Sequence, residues 1–238
     1  MNDIAAILFD KDGTLFDYHK TWANWSRQFL LDLSDGDTAH ARVLAAEVGF
    51  EFDFNAFHRD SVLLQGSPGE IAAALLPHLP GASATGIATR MSALTATVPH
   101  AEATPLVPLF DELLSRGLVL GVVTNDTLGP TRAHLREAGI EQAVPHIFAA
   151  DSGFAPKPEP DMLLAFAEAA GVDPARVVMV GDSPSDMRAG SAAGMVCVAV
   201  LTGLGTRAQL ESCACAVLPT IAGLPKWLDR AVNARDAA

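Results

Sequence analysis

Two aspartates separated by one residue are the first candidates for chemistry in this chain. Asp10 and Asp12 follow a short apolar run at residues 4–9, and Gly13 comes directly after them. A carboxylate at the end of a buried strand can attack an electrophile, and a second carboxylate two residues on can donate and accept protons. Asp-Gly also forms ordinary exposed turns, so the pair carries little weight by itself.

Polar residues follow other apolar runs in the same way. Thr124 and Asn125 follow one such run, and Asp182 and Asp186 follow another. Lys157 lies between two prolines, which restrict the backbone of its loop. Because ligands bind beyond the carboxyl ends of parallel strands, we expect these groups to lie at one edge of a sheet with the first aspartate pair.

Such a site combines several carboxylates with a hydroxyl and an ammonium group. Carboxylates at one point repel one another unless a hard cation joins them, and oxygen ligands favour Mg²⁺. We therefore predict a Mg²⁺-dependent reaction in which Asp10 attacks phosphorus and Asp12 transfers protons. Lys157 and Thr124 would neutralise and orient the phosphoryl oxygens.

The elements that must position these groups alternate between apolar runs and helical patterns. This alternation predicts an α/β fold with a doubly wound parallel sheet (Rossmann-like). The predicted strands are residues 4–9, 118–123, 147–150, 177–180 and 196–200. The predicted helices between them are residues 106–116, 130–138, 160–170 and 184–193, each with proline near its start or glycine just past its end.

Residues 17–104 interrupt this alternation. They contain Ala- and Leu-rich helical patterns without a buried strand pattern, so we predict an all-helical cap domain inserted after the first strand. The catalytic core would then comprise residues 1–16 and 105–238. The predicted helices of the insertion are residues 21–33, 38–48, 67–76 and 84–97.

Few residues of the insertion suggest a function. We assign His58 and Arg59 to substrate recognition, although Arg59 could equally face solvent. Tyr18, Trp22 and Trp25 fit helix packing better than substrate contact.

Two further patterns receive structural interpretations. Gly203 and Gly205 match a loose dinucleotide-binding pattern, but they do not lie in the first strand–helix unit. We therefore interpret them as a tight turn beside the active site. The seven histidines are scattered, and we interpret His134 and His146 as surface or structural residues.

The composition limits the class of partner and the compartment. The 238 residues carry a formal net charge of −12 without a lysine or arginine cluster, which argues against nucleic acid or a membrane as partner. The three cysteines suggest no disulfide framework, and neither a basic signal segment nor a membrane-length apolar run is found. We expect a cytoplasmic monomer or homodimer that acts on a small phosphorylated metabolite.

The polar segments together resemble the four motifs of the haloacid dehalogenase superfamily. They are Asp10-Lys11-Asp12-Gly13-Thr14, Thr124-Asn125, Lys157 in a Lys-Pro-x-Pro setting, and Gly181-Asp182 followed by Asp186. These motifs span the predicted core. The insertion after the first motif is similar to the cap of the phosphoglycolate phosphatase and β-phosphoglucomutase-like branch.

The resemblance implies a role for each matching residue. Asp10 would be the nucleophile and a Mg²⁺ ligand, and Asp12 would be the acid/base and a ligand through its backbone carbonyl. Asp182 would be a third ligand, while Asp186 would lie just outside the ligands, where it could orient Lys157. The residues that would bind the transferred phosphoryl group are Thr124, Asn125 and Lys157.

The resemblance also implies a phosphatase for a small phosphate monoester, with phosphoglycolate as the leading candidate and a cap that closes over the core. A sugar phosphomutase is the alternative within the same family. A phosphonatase would need a cap lysine for a Schiff base, and Lys20 is the only lysine between residues 17 and 104. A receiver-like phospho-switch also uses Asp, Thr and Lys around Mg²⁺, but receivers have no large insertion after the first strand.

Overall fold

The computed structural model describes residues 4–58, 61–66, 68–95 and 99–236. The chain divides into two compact units, which are treated separately below. The first unit comprises Met1–Tyr18 and His100–Ala238, and the second comprises His19–Pro99.

Strands and helices alternate along the first unit, and helices dominate the second. The strands are β1 Ala6–Phe9, β2 Phe50–Glu51, β3 Ala56–Phe57, β4 Val119–Val123, β5 His146–Phe148, β6 Val177–Gly181, β7 Val196–Val200 and β8 Ala216–Leu218. The α-helices are α1 Tyr18–Leu33, α2 Thr38–Glu47, α3 Val62–Gln65, α4 Pro68–Leu75, α5 Ala84–Thr95, α6 Leu106–Ser115, α7 Leu128–Glu137, α8 Asp161–Ala170, α9 Pro184–Ala192, α10 Arg207–Glu211 and α11 Leu224–Asp236. Among the described ranges, no helix has both the length and the apolar character needed to cross a membrane.

A parallel six-stranded sheet forms the centre of the first unit, in the order β5-β4-β1-β6-β7-β8. In the middle, Ala6 of β1 is in register with Val119 of β4 on one side and with Val177 of β6 on the other. The chain adds strands outward from β1 to β5 and then returns to add β6 to β8 on the opposite side. The predicted doubly wound α/β fold is confirmed, and its winding direction reverses between β1 and β6.

The alternation of side chains along β1 builds both faces of the sheet. Ile7 and Phe9 pack against α6, where Phe9 stacks on Phe110 with 5.2 Å between ring centroids. Ala6 and Leu8 point to the opposite face and pack against α8. Burial on both faces explains the unbroken apolar run of this strand, which ends where Asp10 begins the site.

The second unit is mainly helical and has its own hydrophobic core. Trp25 stacks on Phe29 with 5.0 Å between centroids, and Trp22 contacts Trp25 at 5.4 Å. Helix packing is therefore confirmed for both tryptophans. The prediction of an all-helical insertion was incomplete, because β2 and β3 form a short antiparallel hairpin through Asn55, whose φ is 53°.

Candidate active site

The carboxylates of Asp10 and Asp182 lie at the carboxyl ends of two neighbouring strands, β1 and β6. The backbone N–H of Asp10 donates to the carbonyl of Val180 at 2.8 Å, which ties the two strand ends together. With Asp186, the three buried side chains offer carboxylate oxygens that lie within 4.8 Å of one another. They therefore meet where the winding direction reverses, the usual ligand site of an open α/β sheet.

A buried ammonium group links this cluster. Lys157 Nζ donates to Asp10 Oδ1 at 2.6 Å, to Asp186 Oδ1 at 2.7 Å and to the Val123 carbonyl at 3.3 Å. Burial by itself would lower the pKa of Lys157, but the two carboxylates raise it above its ordinary value. The lysine therefore stays charged at neutral pH and uses all three of its donors.

Burial makes the carboxylates of Asp10 and Asp182 reluctant to ionise. Burial raises the pKa of Asp10 well above its ordinary value, against the effect of Lys157 and with a further rise from Asp186 and Asp182. Burial likewise raises the pKa of Asp182 to about 6, with a further rise from Asp186. One ammonium does not offset three buried carboxylates, so the excess negative charge and the oxygen donors fit a hard divalent cation such as Mg²⁺.

Asp186 is held by the protein through both of its oxygens. Oδ1 accepts from Lys157, while Oδ2 accepts from the Ser183 hydroxyl at 2.6 Å and from the Ser183 N–H at 3.0 Å. Ser183 also caps the N-terminus of α9. These contacts support the orientation of Lys157 as the role of Asp186, in preference to direct metal binding.

Asn125 fixes the loop that carries Lys157. The Asn125 amide donates to the Lys157 carbonyl at 2.9 Å and accepts from the Lys157 N–H at 3.0 Å. Its side chain thus positions the lysine, a role that the sequence analysis did not assign, and its contact with phosphate stays a prediction. The buried Thr124 hydroxyl accepts from the Asp126 N–H at 3.1 Å.

Three glycines bring the backbone close to Asp182. Gly13 has a φ of 86°, and a Cβ at this position would lie 2.6 Å from Asp182 Cγ. A Cβ at Gly203 or Gly205 would collide with Asp182, and the Leu204 N–H donates to Asp182 Oδ2 at 2.9 Å. The predicted turn at Gly203 and Gly205 therefore lies beside the site and holds Asp182 in place.

A cavity of about 420 Å³ opens at this edge of the sheet. The residues that line it are Asp10, Asp12, Tyr18, Thr124, Asn125, Asp126, Lys157, Asp182, Ser183, Ser185, Asp186 and Leu204. Every core residue that the sequence analysis assigned to the site is in this group. Tyr18, which we assigned to helix packing in preference to substrate contact, forms part of the cavity wall. Burial raises the pKa of Tyr18, and the nearby Asp12 and Asp182 add to the rise.

The candidate residues of the insertion lie in the second unit. His58 Nε2 lies 2.8 Å from Glu51 Oε1, a contact that joins the two sides of the β2–β3 hairpin. Substrate recognition by His58 stays a prediction, and Arg59 lies outside the described residues. Of the two histidines interpreted as structural, His146 packs edge-on against Phe166 at 5.8 Å.

Known proteins resemble this chain in sequence and in fold. The profile of haloacid dehalogenase-like hydrolases matches residues 4–194. A phosphoglycolate phosphatase from Rhodospirillum rubrum is 35% identical over 120 residues, which cover 50% of this chain and 50% of that enzyme. Hexitol phosphatase A from Escherichia coli is 30% identical over 200 residues, 81% of each chain. A HAD family hydrolase from Deinococcus radiodurans, solved with bound phosphate and sodium, has a TM-score of 0.67 and 24% identity over 97% of each chain.

Proposed function

Because this chain belongs to the haloacid dehalogenase-like hydrolase family, we propose that it is a Mg²⁺-dependent phosphatase for a small phosphate monoester. The observation that carries the proposal is the 2.6 Å contact between the buried Lys157 ammonium and Asp10, next to Asp182 at the reversal point of the sheet. An ammonium beside a buried carboxylate supports phosphoryl transfer, because a phosphoryl oxygen close to the attacking oxygen can replace the 3.3 Å contact of Lys157 with the Val123 carbonyl.

The proposed Mg²⁺ ligands are the carboxylates of Asp10 and Asp182 and, by resemblance to the family, the backbone carbonyl of Asp12. Bound Mg²⁺ would neutralise charge on the phosphoryl oxygens and on the carboxylates around them. The raised pKa of Asp182, about 6, supports this assignment, since a carboxylate that is costly to ionise in isolation gains most from a cation. Asp186 would keep the Lys157 ammonium aimed at the reaction centre.

The proposed reaction has two displacements at phosphorus. Asp10 attacks phosphorus and forms an aspartyl-phosphate, while the bond between phosphorus and the leaving oxygen breaks. Asp12 gives its proton to that oxygen, which leaves as an alcohol. Asp12 then takes a proton from the water that attacks the aspartyl-phosphate. Inorganic phosphate is released, and the Asp10 carboxylate is regenerated. Lys157 and the Thr124 hydroxyl would stabilise the phosphoryl oxygens in both steps.

The proposed substrate is a small phosphorylated metabolite. Phosphoglycolate is the first candidate because of the enzyme from R. rubrum, although this chain spans only half of that protein's length. A hexitol phosphate is the second candidate because of the E. coli relative. A cavity of about 420 Å³ supports a small ligand over a macromolecule.

The direct test is phosphate release from a panel of phosphorylated metabolites, with and without Mg²⁺. Asp10→Asn should lower the rate at least about a thousandfold, because the amide cannot act as the nucleophile, while the protein stays folded. Asp111→Asn changes an exposed carboxylate of α6 and is the matched control.

Normal Mg²⁺-dependent phosphate release by the Asp10→Asn variant would refute the mechanism. A sugar phosphate isomer formed in place of inorganic phosphate would identify the protein as a phosphomutase instead.

A further inference from the structure

Lys11, between the two aspartates of the first motif, is buried and fully paired. Its side chain is 1% exposed, and its Nζ lies 2.9 Å from Asp12 Oδ1 and 2.8 Å from Asp12 Oδ2. The same Nζ lies 3.2 Å from Asp126 Oδ2 and 3.3 Å from His134 Nδ1. Three partner residues thus match the three donors of the ammonium, as a buried cation requires.

His134 is suited to accept one of these hydrogen bonds. Burial, together with the nearby His100 and Lys11, lowers the pKa of His134 to about 4. The ring is therefore neutral at pH 7, and the contact with Lys11 assigns Nδ1 as the acceptor. The His134 ring contacts that of His100 with 3.8 Å between centroids and lies edge-on to Phe16 at 6.3 Å, so its position is fixed.

Asp126 is the second anchor of the ammonium. Its Oδ1 accepts from the Thr127 N–H at 2.7 Å. Burial would raise the pKa of Asp126, but the bond from Thr127 and the charge of Lys11 lower it below its ordinary value. Asp126 is thus a carboxylate at neutral pH, and both anchors of Lys11 come from the connection after β4 and from α7.

The orientation of the half-exposed Asp12 side chain depends on its contact with the Lys11 ammonium. Its side chain is 45% exposed, and a half-exposed aspartate can occupy several staggered rotamers. One ammonium that contacts both carboxylate oxygens favours a single rotamer. His100 Nε2, 3.9 Å from Asp12 Oδ1, adds a second neighbour. Since Lys11 is buried and Asp12 lines the cavity, Lys11 restrains the carboxylate from the protein side.

We propose that Lys11, anchored by Asp126 and His134, is a positioning residue that holds the Asp12 carboxyl group where it can protonate the leaving oxygen. The inference rests on the proposed phosphatase function, in which Asp12 is the proton donor. The proton moves from Asp12 to the leaving oxygen as the phosphorus–oxygen bond breaks, and Lys11 takes no part in the transfer itself. A donor fixed in one rotamer transfers its proton more effectively than one that samples several.

Leaving groups differ in how much they need this proton, so substrates with different leaving groups can test the proposal. An alkoxide must be protonated as it leaves, whereas p-nitrophenolate and acetate leave without a proton. Lys11→Met should therefore lower kcat/KM for an alkyl monoester at least about tenfold more than for p-nitrophenyl phosphate or acetyl phosphate. The quantity kcat/KM covers the steps up to departure of the leaving group. Lys226→Met, at an exposed position of α11, is the matched control.

Asp12→Asn separates a failure of the proposed function from a failure of this inference. If Asp12→Asn hydrolyses the alkyl ester as well as the unmodified protein does, Asp12 is not the proton donor and the proposed mechanism is wrong. Suppose instead that Asp12→Asn shows the selective loss on the alkyl ester. If Lys11→Met then lowers kcat/KM equally for both kinds of substrate, or lowers it for neither, only the positioning role of Lys11 is wrong.

A second pair of variants tests the same contact if Lys11→Met does not fold. His134→Asn keeps an acceptor close to the position of Nδ1, whereas His134→Leu removes it. We expect the selective loss on the alkyl ester to be at least about threefold larger for His134→Leu than for His134→Asn. Equal losses for the two variants would overturn the proposal.

Discussion

At the end of β6, the backbone of one turn sets the position of a candidate metal ligand. The Leu204 N–H donates to Asp182 Oδ2, and this bond lowers the pKa of Asp182 against the larger, opposite effect of burial. Gly203 lies so close that a side chain there would occupy the place of the carboxylate. The turn therefore favours both the position and the ionised form that a metal ligand needs.

Gly203→Ala should displace the Asp182 carboxylate. We expect the Mg²⁺ concentration for half-maximal phosphate release to rise at least about tenfold, as found when groups that orient metal ligands are changed. Gly129→Ala is the matched control, because a Cβ at Gly129 in α7 meets nothing within 4 Å. It should leave the Mg²⁺ dependence unchanged and stabilise the helix by up to about 1 kcal/mol. An unchanged Mg²⁺ dependence in Gly203→Ala would contradict this role of the turn.

The sequence predicts some of these residues and not others, for a physical reason. Asp10 and Asp182 could be predicted to share a site because parallel strands end at the same edge of a sheet. The contact between Lys11 and His134 could not be predicted, since it joins residues 123 positions apart and depends on the winding of the turn after β1. His134 accordingly received only a surface or structural assignment.

Among the elements, helix α9 begins inside the candidate site, and its cap serves the helix and the site together. The Ser183 hydroxyl accepts from the Asp186 N–H at 3.3 Å and donates to Asp186 Oδ2 at 2.6 Å. Pro184 at the first helical position favours the same start. The interaction that begins α9 therefore also fixes the carboxylate that binds Lys157.

Ser183→Ala should thus affect stability and catalysis together. Loss of the cap should lower the free energy of unfolding in urea by about 1 kcal/mol. Asp186 also loses its 2.6 Å contact with the hydroxyl, and this weaker restraint should lower kcat at least about fivefold. Thr206→Ala removes the same kind of cap from α10, where Thr206 and Gln209 are exposed. This control should lose stability without loss of kcat, and equal kcat values for the two variants would show that Asp186 does not depend on Ser183.

The length of the apolar run explains much of which strands the sequence predicts. The long apolar runs of β1, β4, β6 and β7 stand out, and the observed strands match the predicted ranges to within a residue or two. The two-residue strands β2 and β3 offer no alternation to detect. The edge strand β8 has only three residues, Ala216–Leu218, and was not predicted.

Over the whole molecule, the candidate site concentrates negative charge in a chain that is already acidic. The formal net charge is −12, and the three clustered carboxylates of Asp10, Asp182 and Asp186 share one buried ammonium, Lys157. Folding without a cation therefore keeps like charges together at a site where the three carboxylates are largely buried. A bound divalent cation should stabilise the fold as well as serve the reaction.

Mg²⁺ should raise the thermal midpoint of the protein. At a concentration about 100 times its dissociation constant, a ligand raises the free energy of unfolding by about 2.7 kcal/mol. For a protein of this size, that raises the thermal midpoint by roughly 5–10 °C. Asp182→Asn should remove most of this shift, and NaCl at the same ionic strength should produce much less of it, since it only screens charge. An equal Mg²⁺ shift in Asp182→Asn would place the stabilising cation elsewhere.

The central place of β1 also determines when the sheet can close during synthesis. The ribosome makes β1 first, yet its two neighbours begin at Val119 and Val177. At about 5–20 residues per second, on the order of ten seconds or more separate β1 from β6. For that time, the apolar segment Ala6–Phe9 lacks its second neighbouring strand, β6. A chain released before Gly181 would leave one edge of β1 open to pairing with other chains.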